Sequence, residues 1–256
     1  MTGRVKKKLN QKKIDPERLR LLKRRLAQAI PEPKCELDHK NGWQLLIATI
    51  LSAQSTDKKV NEVAPELFRL HPTPASLAEA PPGEIEALVK STGFFRNKTK
   101  SIQGASRRIV EDHGGEVPHT LDELVKLPGV ARKTANVVLG SAYRITTGIV
   151  VDTHAGRVAR RLELTEQTDP KKVEAELCEI FPPKQWIDSG HRLVLHGRYV
   201  CLARAPRCAE CPLNEACPSR EEDASLPPGK RAAAEKALVE SRGTNNALVA
   251  SSSPQK

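Results

Sequence analysis

Four cysteines, Cys201, Cys208, Cys211 and Cys217, lie within the stretch "CLARAPRCAECPLNEAC" at spacing C-x6-C-x2-C-x5-C. Thiolates this dense can close around one metal centre. The basic N-terminus lacks the apolar segment of a secretory signal, so a metal site is expected here in place of disulfides. Structural zinc commonly uses two separated C-x2-C pairs, and only one is present. The uneven spacing favours a [4Fe–4S] cluster over zinc, without matching the ferredoxin pattern. On spacing alone both metals stay open. Cys35 and Cys178 lie outside the group and read as ordinary packing residues.

A second chemical feature is "LPGVARKTANV", residues 127–137. Pro128–Gly129 signals a turn, and the residues after it read as a helix. Arg132 and Lys133 then occupy its first turn, where the helix dipole disfavours cations by about 0.3–1 kcal/mol each. A glycine turn feeding a helix N-terminus also offers unpaired N–H donors to an anion, which would offset such charge. A third feature is Asp152, which follows the apolar run "GIVV" and precedes the helix-like "THAGRVARRL". It is placed to cap that helix, worth about 1 kcal/mol, with its carboxylate held near the interior.

The elements that must position these groups are helical, with no clean alternating strand pattern. Asp15–Pro16 opens a first helix, ended by Pro31 and Pro33. Residues 43–53 are apolar nearly all round, as in a helix enclosed by others. A helix follows the caps at 55–57, with Pro65 expected to kink or shorten it. Further helices are expected at 75–80, 83–90, 99–112, 131–143, 153–162, from Pro170, and at 186–200. Thr120 with Glu123 forms a capping box before "LDELVKL". The expectation is an all-α chain of about ten short helices, followed by a polar tail over 219–256.

The formal charge is +11, and residues 1–13 carry six cations with no acid. A polyanionic partner, nucleic acid first, fits that balance. No apolar run approaches the roughly 20 residues of a membrane span. The cytoplasm is the expected location.

With these motifs together, the chain resembles the endonuclease III family of DNA repair enzymes. "LPGVARKTA", "VDTHAGRVARRL" and the cysteine loop occur in the family's order, and "ILSAQSTDKKVN" and "LHGRYVC" add to the likeness, which spans most of residues 15–218. The resemblance implies a six-helix barrel-like domain with a helix-hairpin-helix (35–146, hairpin near 121–143). A smaller iron–sulfur domain (15–34 with 147–218) would be built from both chain ends, with a flexible arm over 1–14. It also implies that the four cysteines ligate a [4Fe–4S] cluster.

By the same resemblance, Gly129, Ala131 and Arg132 form the phosphate-binding hairpin, and Lys133 is the nucleophile that forms a Schiff base with the sugar. Asp152 is the essential acid. An amine attacks only when unprotonated, and the helix terminus, Arg132 and partial burial of Lys133 would all disfavour the ammonium. A flipped base leaves a gap, which Gln54 and an apolar residue, mapped to Phe94 with Phe95 adjacent, would fill. Arg96, Lys98, Arg204 and Arg207 are the expected DNA contacts. His154, His191 and His196 read as structural.

The implied activity is a bifunctional glycosylase and AP lyase for oxidised pyrimidines. It would act as a monomer on double-stranded DNA with damaged bases or abasic sites, in a bacterial cytoplasm at the nucleoid. The alternatives are a monofunctional adenine-type glycosylase, against which Lys133 argues, and a non-catalytic DNA-binding module.

Overall fold

The computed structural model describes residues 14–220. All of the basic arm but Ile14, and nearly all of the polar tail anticipated from the sequence, lie outside them. The described residues form helices α1 (Pro16–Ala29), α2 (Gly42–Leu51), α3 (Asp57–Leu70), α4 (Pro74–Glu79), α5 (Pro82–Val89) and α6 (Phe95–His113). They continue as α7 (Leu121–Leu124), α8 (Arg132–Tyr143), α9 (Thr153–Arg161), α10 (Pro170–Ile180) and α11 (Trp186–Tyr199). No strand occurs among the described residues, so the all-α expectation holds.

Local chemistry sets most of the boundaries. Asp15 accepts from the N–H groups of Glu17 and Arg18, Asp169 from that of Lys172, and Thr120 from that of Glu123, each satisfying helix-end donors that would otherwise lack partners. Two expectations are corrected. Helix α3 runs on past Pro65 to Leu70, so the proline does not shorten it. The proline sits on the exposed side, where the carbonyl it leaves unpaired can turn to water, while Val60, Ala64 and Leu67 anchor the other face. Helix α6 starts at Phe95, earlier than expected. Its entry is a left-handed residue, Phe94, with no side-chain cap, so the usual polar start signal is missing.

The buried side chains fall into two clusters. One runs from Leu37 to Leu139 and centres on α2, whose Leu45, Leu46, Ile47, Ala48 and Leu51 are completely buried. The other joins Leu22, Leu26 and Ile30 of the first helical segment to residues from Ile149 to Ala216. Each buried Leu or Ile contributes about 1.5–3 kcal/mol. Charged pairs tie the two together. Arg198 of α11 pairs with Glu36 and Asp57, and Arg144 Nη2 lies 3.2 Å from Asp188 Oδ1.

Candidate active site and DNA interface

Helix α8 begins at the turn the sequence marked. Val130 N–H donates to the Leu127 carbonyl at 3.1 Å, and Gly129 adopts φ 77°. A Cβ there would lie 2.7 Å from the Ser101 Cβ of α6, so conformation and close approach both require glycine. Ala131 has φ −85° and ψ 167°, a geometry alanine adopts without strain, and no side chain caps α8. The first-turn N–H groups are thus left to an external acceptor.

Arg132 and Lys133 are exposed, which corrects the expected partial burial of Lys133. The Lys133 ammonium makes no hydrogen bond or ion pair among the described residues. Arg132 is already paired. Its Nε and Nη2 donate to the two carboxylate oxygens of Glu174 at 3.2 and 2.9 Å. The counter-charge expected from a phosphate is therefore supplied by α10. Glu174 carries no sequence signal, because it lies 42 residues from Arg132 on an ordinary amphipathic helix.

Asp152 caps α9 as expected. Both cap bonds, from the N–H groups of His154 and Ala155, land on Oδ1 at 2.8 Å. Oδ2 accepts no hydrogen bond among the described residues. Ile149 and Val151 are buried just before it. Two glycines of α11 bring that helix close on either side. A Cβ at Gly190 would lie 3.1 Å from Val150 N, and one at Gly197 would lie 3.0 Å from His154 O.

Gln54 and Phe94 stand at exposed tips with left-handed backbones, and Phe94 is 64% exposed. Phe95 instead packs against the first core, which separates the two rings. Arg96 is exposed over the Phe95 ring at 5.5 Å. Lys98 is a correction to the expected phosphate contacts. It is 5% exposed, and its Nζ donates to the Thr92 carbonyl at 2.7 Å, so it braces the turn behind Phe94 from inside. Burial lowers its affinity for the proton.

The four cysteines line one cavity below α11, together with Arg161, His196 and Arg207. Among the described residues, no three metal-binding side chains close on a single point; the sulfurs surround a space. Burial, with the sulfurs of Cys217, Cys201 and Cys208 adding, pushes the Cys211 thiol up to about 11. Such crowding suits thiolates that share a cationic centre. Donors already face the sulfurs: Arg161 Nη1 lies 3.4 Å from Cys201 Sγ, and Leu213 N lies 3.4 Å from Cys211 Sγ. His196 is 2% exposed, its Nε2 is 3.7 Å from Cys211 Sγ, and its Nδ1 has no partner. The residues fit a bound cluster, with His196 as a donor to sulfur in place of a ligand. Arg204 is exposed, whereas Arg207 donates to the Tyr199 carbonyl at 3.2 Å and is directed into the loop. Sequence reasoning missed Arg161, which also donates to the carbonyls of Leu202 and Ala203.

Residues 47–183 match the HhH-GPD superfamily of base excision DNA repair proteins. Endonuclease III of Synechocystis sp. is 48% identical over 221 residues, covering 86% of this chain and 99% of that protein. The chain belongs to the endonuclease III family. It is a base-excision-repair DNA glycosylase and AP lyase. A non-covalent endonuclease III–DNA complex superposes with TM-score 0.76 at 40% identity, covering 80% of this chain and 96% of that one. A trapped covalent endonuclease III–DNA intermediate matches with the same score and identity, covering 97% of its own chain. Endonuclease III proteins are generally associated with a [4Fe–4S] cluster. No helix among the described residues is long and apolar enough to cross a membrane.

Proposed function

We propose that the enzyme removes oxidised pyrimidines from double-stranded DNA and nicks the resulting site through an imine on Lys133. The observation that carries this reading is the position of Lys133: exposed, unpaired and in the first turn of an uncapped helix directly after the hairpin. The hairpin N–H groups hold a phosphate beside the lesion. Phe94 and Gln54 occupy the space left by the flipped nucleotide. The Lys133 amine attacks the sugar C1′ and the bond to the base breaks, the base leaving with one of the two amine protons; the C1′–O4′ bond then opens, O4′ takes the other proton, and the imine forms. Loss of a C2′ proton from the imine then expels the 3′ phosphate. Asp152, through the oxygen left free by its cap, takes the proton from Lys133 and balances positive charge on the sugar.

Cys201, Cys208, Cys211 and Cys217 would hold the [4Fe–4S] cluster, which when bound cross-links the loop bearing Arg204. Iron and acid-labile sulfide at four each per chain, against one zinc, test that assignment. Two domains, one around each core, and a cytoplasmic site of action at the nucleoid belong to the same reading.

Borohydride trapping on duplexes carrying thymine glycol or an abasic site tests the function. A crosslink on both, lost in Lys133→Ala, is expected. A crosslink on the abasic duplex alone reduces the enzyme to a lyase or to another lesion class. None on either overturns the mechanism.

A further inference from the structure

We infer that Glu174 is a positioning residue for this reaction: it fixes the first turn of α8, and with it Lys133, against the segment that delivers Asp152. The inference rests on the roles proposed above for those two residues. They come from different bodies, since α8 packs in the first core while Asp152 caps a helix of the second. Something must hold them in register, because misplacement on the scale of 1 Å can cost about a hundredfold in rate.

Glu174 sits where that register can be set. It belongs to α10, whose Val173 and Leu177 are buried in the second core, and its side chain is 13% exposed. Both carboxylate oxygens take the guanidinium of Arg132, the residue next to Lys133. Oε1 also accepts from Asn136 Nδ2 at 3.3 Å, one turn further along α8. Asn136 Oδ1 in turn accepts from Thr147 Oγ1 at 2.8 Å, which reaches the segment running to Asp152. The next residue, Gly148, has φ 156°, and a Cβ there would lie 2.0 Å from Glu174 Oε1. The carboxylate thus occupies a seat made by the hairpin helix on one side and the Asp152 segment on the other. A forked pair of this kind fixes orientation as well as distance.

The test compares wild type, Glu174→Gln, Glu174→Asp, Arg132→Met and the Arg132→Met/Glu174→Gln double variant as full-length proteins. Single-turnover imine formation is measured at saturating abasic duplex, with DNA affinity and thermal unfolding alongside. Glu174→Gln is expected to slow imine formation at least tenfold without weakening DNA binding. The double variant is expected to be no slower than Arg132→Met alone. Glu174→Asp keeps the charge on a shorter arm, loses one side of the fork, and falls between; it serves if Glu174→Gln does not fold. Unchanged rates, a loss matched by equal loss of affinity, or additive losses in the double variant would each overturn the inference. If wild type itself traps no DNA, the proposed function fails; if wild type traps and Glu174→Gln keeps pace, only the role of Glu174 fails.

Discussion

Gln54 and Phe94 share one backbone state, with φ 53° at the first and 48° at the second, and both side chains reach solvent. A left-handed conformation costs an L-residue roughly 1–2 kcal/mol. Strain of this kind persists where function needs it. Phe94→Ala should slow excision from a thymine-glycol duplex by about 5–150-fold, the range expected from a lost base–aromatic stack of ~1–3 kcal/mol. Cleavage of a single-stranded abasic oligonucleotide, which needs no gap filled, should change little. Phe95→Ala should lower unfolding stability by about 2 kcal/mol, because that ring packs on the core. Excision assays on both substrates, with denaturant unfolding, separate the two rings.

Arg96 and Lys98 are two residues apart and should behave oppositely. Arg96→Met removes an exposed cation and should make the dependence of log K on log salt shallower by about 0.9, one phosphate's worth. Lys98→Met should leave that slope unchanged. It removes the donor to the Thr92 carbonyl, leaving a buried acceptor unpaired at a cost of about 1–3 kcal/mol. Fluorescence anisotropy across a salt series, with melting curves, reads both effects.

At Asp152, capping and catalysis can be separated by chemistry. Asn keeps an acceptor for the N–H groups of His154 and Ala155, so Asp152→Asn should stay within about 0.5 kcal/mol of wild-type stability. Asp152→Ala should lose about 1 kcal/mol. Both should lose a hundredfold or more in single-turnover strand cleavage, in the range of general acid–base catalysis. Equal activity in Asp152→Asn would assign the residue to the cap alone.

Stability should fall on mild acidification. Burial, with Arg144 and Arg198 adding and Asp188 opposing, pushes His191 down from 6.5 to about 4. Its Nε2 lies 3.0 Å from Ser141 Oγ. Between those two values the unfolded chain takes up a proton that the folded chain refuses. Stability is therefore full above 6.5, is lost as pH falls toward 4, and changes no further from this group below that. The loss from this group between pH 7 and pH 5 is up to about 2 kcal/mol. In His191→Gln that portion of the slope should disappear, as read from urea midpoints at the two pH values.

What was legible in the sequence was what neighbours along the chain decide. Asp15, Thr120, Asp152 and Asp169 cap the helices they precede, and Gly129 makes the turn its flanking residues announce. The cysteine spacing marked the loop that lines the cavity. What was not legible depends on partners far away. Nothing near Lys98 says that its ammonium turns inward to Thr92, nor near Arg132 that Glu174 waits on another helix. Phe94 and Phe95 are chemically identical, and only the direction of the chain between Gly93 and α6 separates them.

The second core takes its first helix from the beginning of the described chain and the rest from its end. During synthesis α1 leaves the ribosome long before Ile149, Leu177 or Leu193 exist to cover Leu22 and Leu26. The first core has no such dependence, since its buried residues end at Leu139 and the last side chain packed against it is Val150. The hairpin body can thus assemble on the nascent chain while α1 waits, its apolar stripe open to chaperones. Only when the cysteine loop is translated does that helix find its place, so Asp152 comes under its final packing last.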